Sequence, residues 1–218
     1  KALLNNTTAD YNTAVGRYTM GVNTTGTRNT AMAPFALSSN TTGNYNVAIG
    51  YQALTANTST SNQTAVGYRA LATESGDGEN TAIGYLAGED VTGDRNTLVG
   101  FEAGKNITSG RHNTALGRNS LTTLTTGSGS VALGNGTLAT ASGGGNIAIG
   151  HDAGYDTTSG TDNVAIGYNA MKDGALTGDM NVSLGAYSGR DMTSGFKNVL
   201  IGAETGLVTT TGHYLSAC

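Results

Sequence analysis

The chain has 218 residues, of which 34 are glycine, one proline, one cysteine and none tryptophan, with 12% charged residues and a formal net charge of −4. Glycine stands at about twice its usual share, and 35 threonines and 21 asparagines accompany it, which excludes a helical protein because all three disfavour helix interiors. The weakly acidic balance supplies no basic patch for a nucleic-acid partner, the single Cys218 excludes an internal disulfide framework, and no apolar run of eighteen residues supports membrane insertion.

One unit, Asn-x-Ala-[Val/Ile/Leu]-Gly, recurs along the whole sequence. In chain order its last residue falls at Gly16, Ala33, Gly50, Gly67, Gly84, Gly100, Gly117, Gly134, Gly150, Gly167, Gly185 and Gly202, at intervals of 16 to 18 residues. Disordered low-complexity sequence has no reason to keep such a period, so one structural unit is being stacked. The repeat asparagines are Asn12, Asn29, Asn46, Asn80, Asn96, Asn113, Asn146, Asn163, Asn181 and Asn198. Most copies carry Gly three residues before that Asn, as at Gly26, Gly43, Gly93 and Gly110, commonly preceded by Thr or Ser. This is turn chemistry, since Gly reaches positive φ freely and the polar side chains bond nearby backbone.

After each turn, a run such as Asn46-Val47-Ala48-Ile49-Gly50 reads as a short strand, and a second segment such as Tyr51-Gln52-Ala53-Leu54 reads as another. Two strands and two turns per repeat make one coil. The expected fold is all-β, a parallel β-solenoid of about twelve coils forming a single domain over 1–218, a segment of a longer fibrous protein. Both ends fall inside a repeat: Ala2-Leu3 matches the stretch after a motif glycine, and Leu215-Ser216-Ala217-Cys218 opens a thirteenth copy. At about 4.7–4.9 Å per rung, eleven intervals predict roughly 52–54 Å between the first and last motif residues.

A core slot also repeats. Four residues after the motif end stands a large residue (Met20, Leu54, Leu71, Leu121, Leu138, Met171) or a glycine. Gly88, Gly104 and Gly189 are followed three positions later by Val91, Ile107 and Met192, an alternative filling of one volume. Gly154 with Thr157 and Gly206 with Thr209 fit that scheme poorly.

Strand alternation puts Ala on one face and the residues flanking it on the other. Both faces are dry. The residue after Asn is Thr, Val or Ile throughout, and an apolar row is read on the same face: Val15, Ile49, Val66, Ile83, Val99, Leu116, Leu133, Ile149, Ile166 and Leu184, each before a closing glycine, and Leu200. A lone solenoid needs only its lumen apolar, so this row is expected to form the core of a homotrimer.

The segments Asn46-Val47-Ala48-Ile49-Gly50-Tyr51-Gln52-Ala53-Leu54 and Asn163-Val164-Ala165-Ile166-Gly167-Tyr168-Asn169-Ala170-Met171 resemble the repeat arrays of phage-type tail fibre proteins, and are similar to the β-roll heads of trimeric autotransporter adhesins, whose spacing is shorter. The resemblance covers essentially the whole chain. It implies a left-handed, non-enzymatic homotrimer, extracellular on a virion or cell surface, serving as shaft or receptor-facing part in host attachment. The alternatives are a bacterial adhesin head and a monomeric surface- or ice-binding solenoid.

His112, His151 and His213 stand in different coils, and neither a nucleophile elbow nor a phosphate loop occurs, so no catalytic, cofactor or metal residues are assigned. Asp77, Glu79 and Asp94 are the nearest approach to calcium ligands, without the required glycine-aspartate pattern. Tyr51, Tyr68, Tyr85, Phe101 and Tyr168, with His151 in the same slot, form an aromatic row that is either a glycan-facing platform or a packing ladder. Asn-x-Thr/Ser triplets at Asn23, Asn40, Asn57 and Asn106 follow from turn composition. The loops Thr73–Gly78 and Lys172–Gly178 are the expected places for specific contacts.

Overall fold

A computed structural model describes residues 1–76, 78–207 and 210–218. The protein is all-β, a solenoid of about twelve coils built on one parallel sheet of thirteen strands that pair strictly in sequence order. The strands run from β1 (Thr13–Val15) and β2 (Thr30–Met32) through β3 (Val47–Ile49), β4 (Thr64–Val66), β5 (Thr81–Ile83), β6 (Thr97–Val99), β7 (Thr114–Leu116), β8 (Val131–Leu133), β9 (Ile147–Ile149), β10 (Val164–Ile166) and β11 (Val182–Leu184) to β12 (Val199–Ile201) and β13 (Ser216–Ala217). Their register is unbroken: Ala31 lies beside Ala48, Ala48 beside Ala65, and Ser216 beside Val199, so the expected thirteenth copy is a strand. At the other end Leu3 packs on the core and its N–H bonds to the Thr19 carbonyl, the Ala-Leu position that the repeat assigns it.

Each coil contains one strand of three residues, not the two expected. The segment Tyr51–Leu54 is a chain of turns, with Gln52 at φ 56° and Leu54 at φ 51°. The same two positions are left-handed in coil after coil, as at Arg69 and Leu71 or Asn169 and Met171. The backbone still bonds between coils there: Gln52 N–H to the Pro34 carbonyl at 3.2 Å and Leu54 N–H to the Ala70 carbonyl at 3.0 Å. Apolar residues in this segment therefore signal coil-to-coil packing rather than strand dihedrals.

The closing glycine of the motif has a steric cause. From Gly50 to Gly185 its φ lies between 127° and 146°, and a Cβ would run into the backbone of the motif glycine one coil further on. Ala33 is the exception, held at φ 109°.

Inside the coil, the central strand residue is buried in nearly every rung, and the repeat asparagines make a continuous ladder beside it. Asn46 N–H donates to Asn29 Oδ1 at 2.9 Å, while Asn29 Nδ2 donates to the Gly43 carbonyl at 2.8 Å. Each amide thus satisfies backbone groups of the neighbouring coil that no strand pairing reaches, which is why a polar residue is stable in this interior. Gln63 and Ser130 occupy the slot in two coils. Gln63 Oε1 reproduces the bond to Asn80 N–H at 3.0 Å, whereas Ser130 Oγ meets Asn146 N–H at only 3.3 Å. Asn113→Ala, by stranding the Ser130 N–H and the Gly127 carbonyl that it now bonds, should cost about 2–4 kcal/mol in chemical denaturation. Ser130→Asn should raise the midpoint.

A second amide ladder lies seven residues after the motif end. Asn40 Nδ2 donates to Asn23 Oδ1 at 2.8 Å and Asn23 Nδ2 to Asn6 Oδ1 at 3.1 Å, with Asn57 next in line. Asn23, Asn40 and Asn57 are fully buried, so these triplets are core, not glycan acceptors. Buried Glu74 ends the ladder, accepting from Gly76 N–H at 2.7 Å and from Asn80 Nδ2 at 2.8 Å. Beyond it the row turns apolar at Val91, Ile107 and Leu124.

The alternative filling of the core slot is real. A Cβ on Gly88 would stand 3.2 Å from Val91 Cγ2, and one on Gly104 would stand 2.9 Å from Ile107 Cδ1. Thr157, which fits poorly by sequence, is buried with its Oγ1 3.1 Å from the corresponding point at Gly154. Thr209 lies outside the described residues. A third contributor is Leu98, in the alanine position of β6, whose two methyls reach toward Gly88 and Gly104 from between them.

Candidate interaction face

Alternation turns the first and last residue of every strand outward, and the rows they form run the length of the sheet. Val15 is 55% exposed, Leu116 50%, and Ile49, Ile83, Ile149 and Leu184 stand close to 40%. Val66, Val99, Leu133 and Ile166 belong to the same row and are partly covered. Leu200 does not. It pairs with Ser183 and Ala217, is 1% exposed and points into the lumen, where it fills space beside Gly189. The outward residue of β12 is Ile201, 42% exposed, and Met32 completes the row in β2. The motif assigns these positions only when Leu200 is aligned with alanine, a substitution that the neighbouring Gly189 makes possible.

The aromatic row runs alongside, one residue past the motif end. Tyr51, Tyr68, Tyr85 and Phe101 stack at centroid distances of 5.7, 5.1 and 5.1 Å, with planes within 11° of parallel. Phe35 and Tyr18 extend the row at one end, and Tyr168 stacks on His151 at 5.5 Å further along. Between Tyr51 and Phe101 the ring faces cover one another, so edges and hydroxyls meet solvent, the arrangement of a packing ladder.

The charged residues are mostly tied across coils. Asp94 meets Arg95 Nη1 at 3.0 Å and Arg111 Nε at 2.9 Å, while Arg95 Nε holds Glu79 at 2.8 Å. Of the three possible calcium ligands, Glu79 and Asp94 are thus neutralised by guanidinium groups, and Asp77 lies outside the described residues. Among the described residues no group of three or more His, Cys, Asp or Glu could hold a metal ion. Glu89 meets Arg69 at 3.0 Å. Asp152 holds Lys172 Nζ at 3.1 Å, and that hydrogen bond raises the lysine's pKa above its ordinary value. His151 Nδ1 is 3.3 Å from the same carboxylate, His213 Nδ1 accepts from Phe196 N–H, and His112 is exposed in another coil, so the histidines converge on nothing.

The described residues of the two loops expected to carry specific contacts bond to neighbouring coils. Thr73 N–H bonds to the Glu89 carbonyl at 3.1 Å, and Leu176, 1% exposed, bonds through its N–H to the Asp156 carbonyl at 2.8 Å. No helix among the described residues is long and apolar enough to cross a membrane. No family model, curated protein or solved structure matches the chain.

Proposed function

We propose that three copies of this chain, each a left-handed roll, pack their outward strand rows around a common axis to form a stiff extracellular fibre of tail-fibre type, which works mechanically and without catalysis in attachment to a cell surface. The observation that carries this reading is the apolar row from Val15 through Met32, Ile83 and Leu116 to Ile201, with one outward residue in each strand from β1 to β12, eight of them 37–55% exposed and the other four partly covered. A continuous stripe of that size on a single chain is a contact surface, and its repeat matches that of a second copy rung for rung. The inner side is already filled by the strand alanines, the asparagine ladders and large side chains such as Leu54 and Leu121, so the stripe is not needed to close the lumen. The fibre's stiffness follows from stacked backbone bonds between every pair of neighbouring coils.

Replacing Ile83 and Leu116 together by aspartate tests this. Both side chains are outward, so each chain should still fold, but desolvating two carboxylates per chain at a shared axis is prohibitive. The double variant is expected to be a folded monomer by multi-angle light scattering under conditions where the unaltered chain is three-fold associated; an oligomer that survives both substitutions removes the stripe as the interface.

A further inference from the structure

Within the run of coils that carry a ring just past the motif end, from Tyr51 to Tyr168, the exterior is interrupted. The aromatic row passes from Phe101 to Arg118, then Asn135, then His151, so two successive rungs lack a ring. One residue further on, the row Glu102, Asn119, Gly136, Asp152 loses its side chain altogether at Gly136. A cleft of about 350 Å³ opens there, one rung deep, with Asn119 on one flank, Asp152 on the other, and Thr122 and Tyr155 also lining it. Gly136 is buried at φ 66°, and a Cβ on it would collide with Asp152 Oδ1 and stand 3.5 Å from Tyr155 Cδ2. Arg118 is folded back over the Phe101 ring, 5.6 Å from its centroid.

The lining has unused hydrogen-bonding capacity. Asn119 Oδ1 and Thr122 Oγ1 are buried without a hydrogen-bond partner, an unfavourable state that a ligand bearing donors relieves after a small side-chain rotation. Asp152 Oδ2 is occupied by Lys172 and His151, which leaves Oδ1, over Gly136, as a further acceptor. An amide oxygen, a hydroxyl and a carboxylate oxygen around aromatic carbon favour a molecule with several hydroxyl donors and one apolar C–H face. Lys172 already balances the carboxylate, so the ligand need carry no charge. The volume lies at the small end of ligand sites, enough for one or two sugar rings.

We propose that the Gly136 cleft is a binding site for a saccharide residue, with sugar hydroxyls donating to Asp152 Oδ1 and Asn119 Oδ1 and a ring face against Tyr155. It rests on the attachment reading for its role, but each chain holds the whole cleft and needs no neighbour to complete it. Saturation-transfer NMR on the intact chain, with methyl glycosides of neutral hexoses and of N-acetylhexosamines as probes, tests it. Transfer to at least one probe is expected, falling at least fivefold in Gly136→Asn, which displaces Asp152 Oδ1 and puts there the residue that Asn119 and Asn169 hold at a similar left-handed φ of 54–55°. Thr122→Val, which deletes the unpartnered hydroxyl at constant size, should also weaken transfer while leaving the thermal midpoint equal or higher. No transfer to any probe, or undiminished transfer in both variants, overturns the site. The mass of the same samples separates the two readings: transfer to a monomer keeps the cleft and sinks the trimer, and a trimer without transfer does the reverse.

Discussion

Gly84→Ala should lower the stability of the rod by roughly 3 kcal/mol or more, among the largest effects a single methyl group can have in this protein. Two penalties combine at Gly84. Its φ of 146° lies where an L side chain is strained, and the added Cβ would overlap the Gly100 backbone in the next coil. Relief of that overlap requires the two coils to part, which weakens the bond from Gly100 N–H to the Ile83 carbonyl, now 2.8 Å, and the stacking of Tyr85 on Phe101. The reciprocal change tests the same cause. Ala33 occupies the equivalent position at φ 109°, and Ala33→Gly should raise stability by about 1 kcal/mol. Denaturation midpoints followed by circular dichroism read both; a neutral Gly84→Ala would show that the stacked glycines are incidental.

The second large effect is an exchange of volume across the core. Leu98→Ala should cost about 3–5 kcal/mol, because one fully buried side chain fills the space left by two glycines. Gly104→Leu alone should also destabilise, by roughly 1–3 kcal/mol, since its Cβ would lie 2.6 Å from Leu98 Cδ2. Together they should recover most of the loss. The combined site then repeats an arrangement already present one coil on, where Ala115, Leu121 and Leu124 are all fully buried and Leu121 sits at φ 50°. A favourable coupling near 2 kcal/mol in a double-mutant cycle is expected; strictly additive losses would mean that the two side chains do not share one volume.

Much of this architecture is legible in the sequence because the period is enforced by backbone geometry. The motif glycine recurs where φ and coil spacing exclude a side chain, and the motif asparagine recurs where backbone groups need an amide, so together they mark nearly every rung, with Ala33, Gln63 and Ser130 as the exceptions. The second segment of the coil is misread for a physical reason. Left-handed residues such as Gln52 and Leu54 bond between coils as strands do and bury their apolar members as strands do, leaving no periodicity that separates them from a strand. The second amide ladder was visible as Asn6, Asn23, Asn40 and Asn57 at 17-residue spacing, yet an Asn-x-Thr triplet in a polar stretch reads as surface. Leu200 resembles the outward row because it is apolar where other copies carry Ala, but the register Asn198-Val199-Leu200-Ile201-Gly202 puts it in the alanine position, and Gly189 opposite leaves room for it to point inward. The Gly136 cleft is the least legible feature, since it arises from what two adjacent rungs lack.

The most direct test of the account is the mass of the unaltered chain in solution, by sedimentation equilibrium over a range of concentrations. The chain mass is 21.9 kDa, and the account predicts three chains per particle, with the row from Val15 to Ile201 buried at the axis. A folded particle of one chain at every concentration would contradict it, leaving the outward row in water and removing the basis for the fibre.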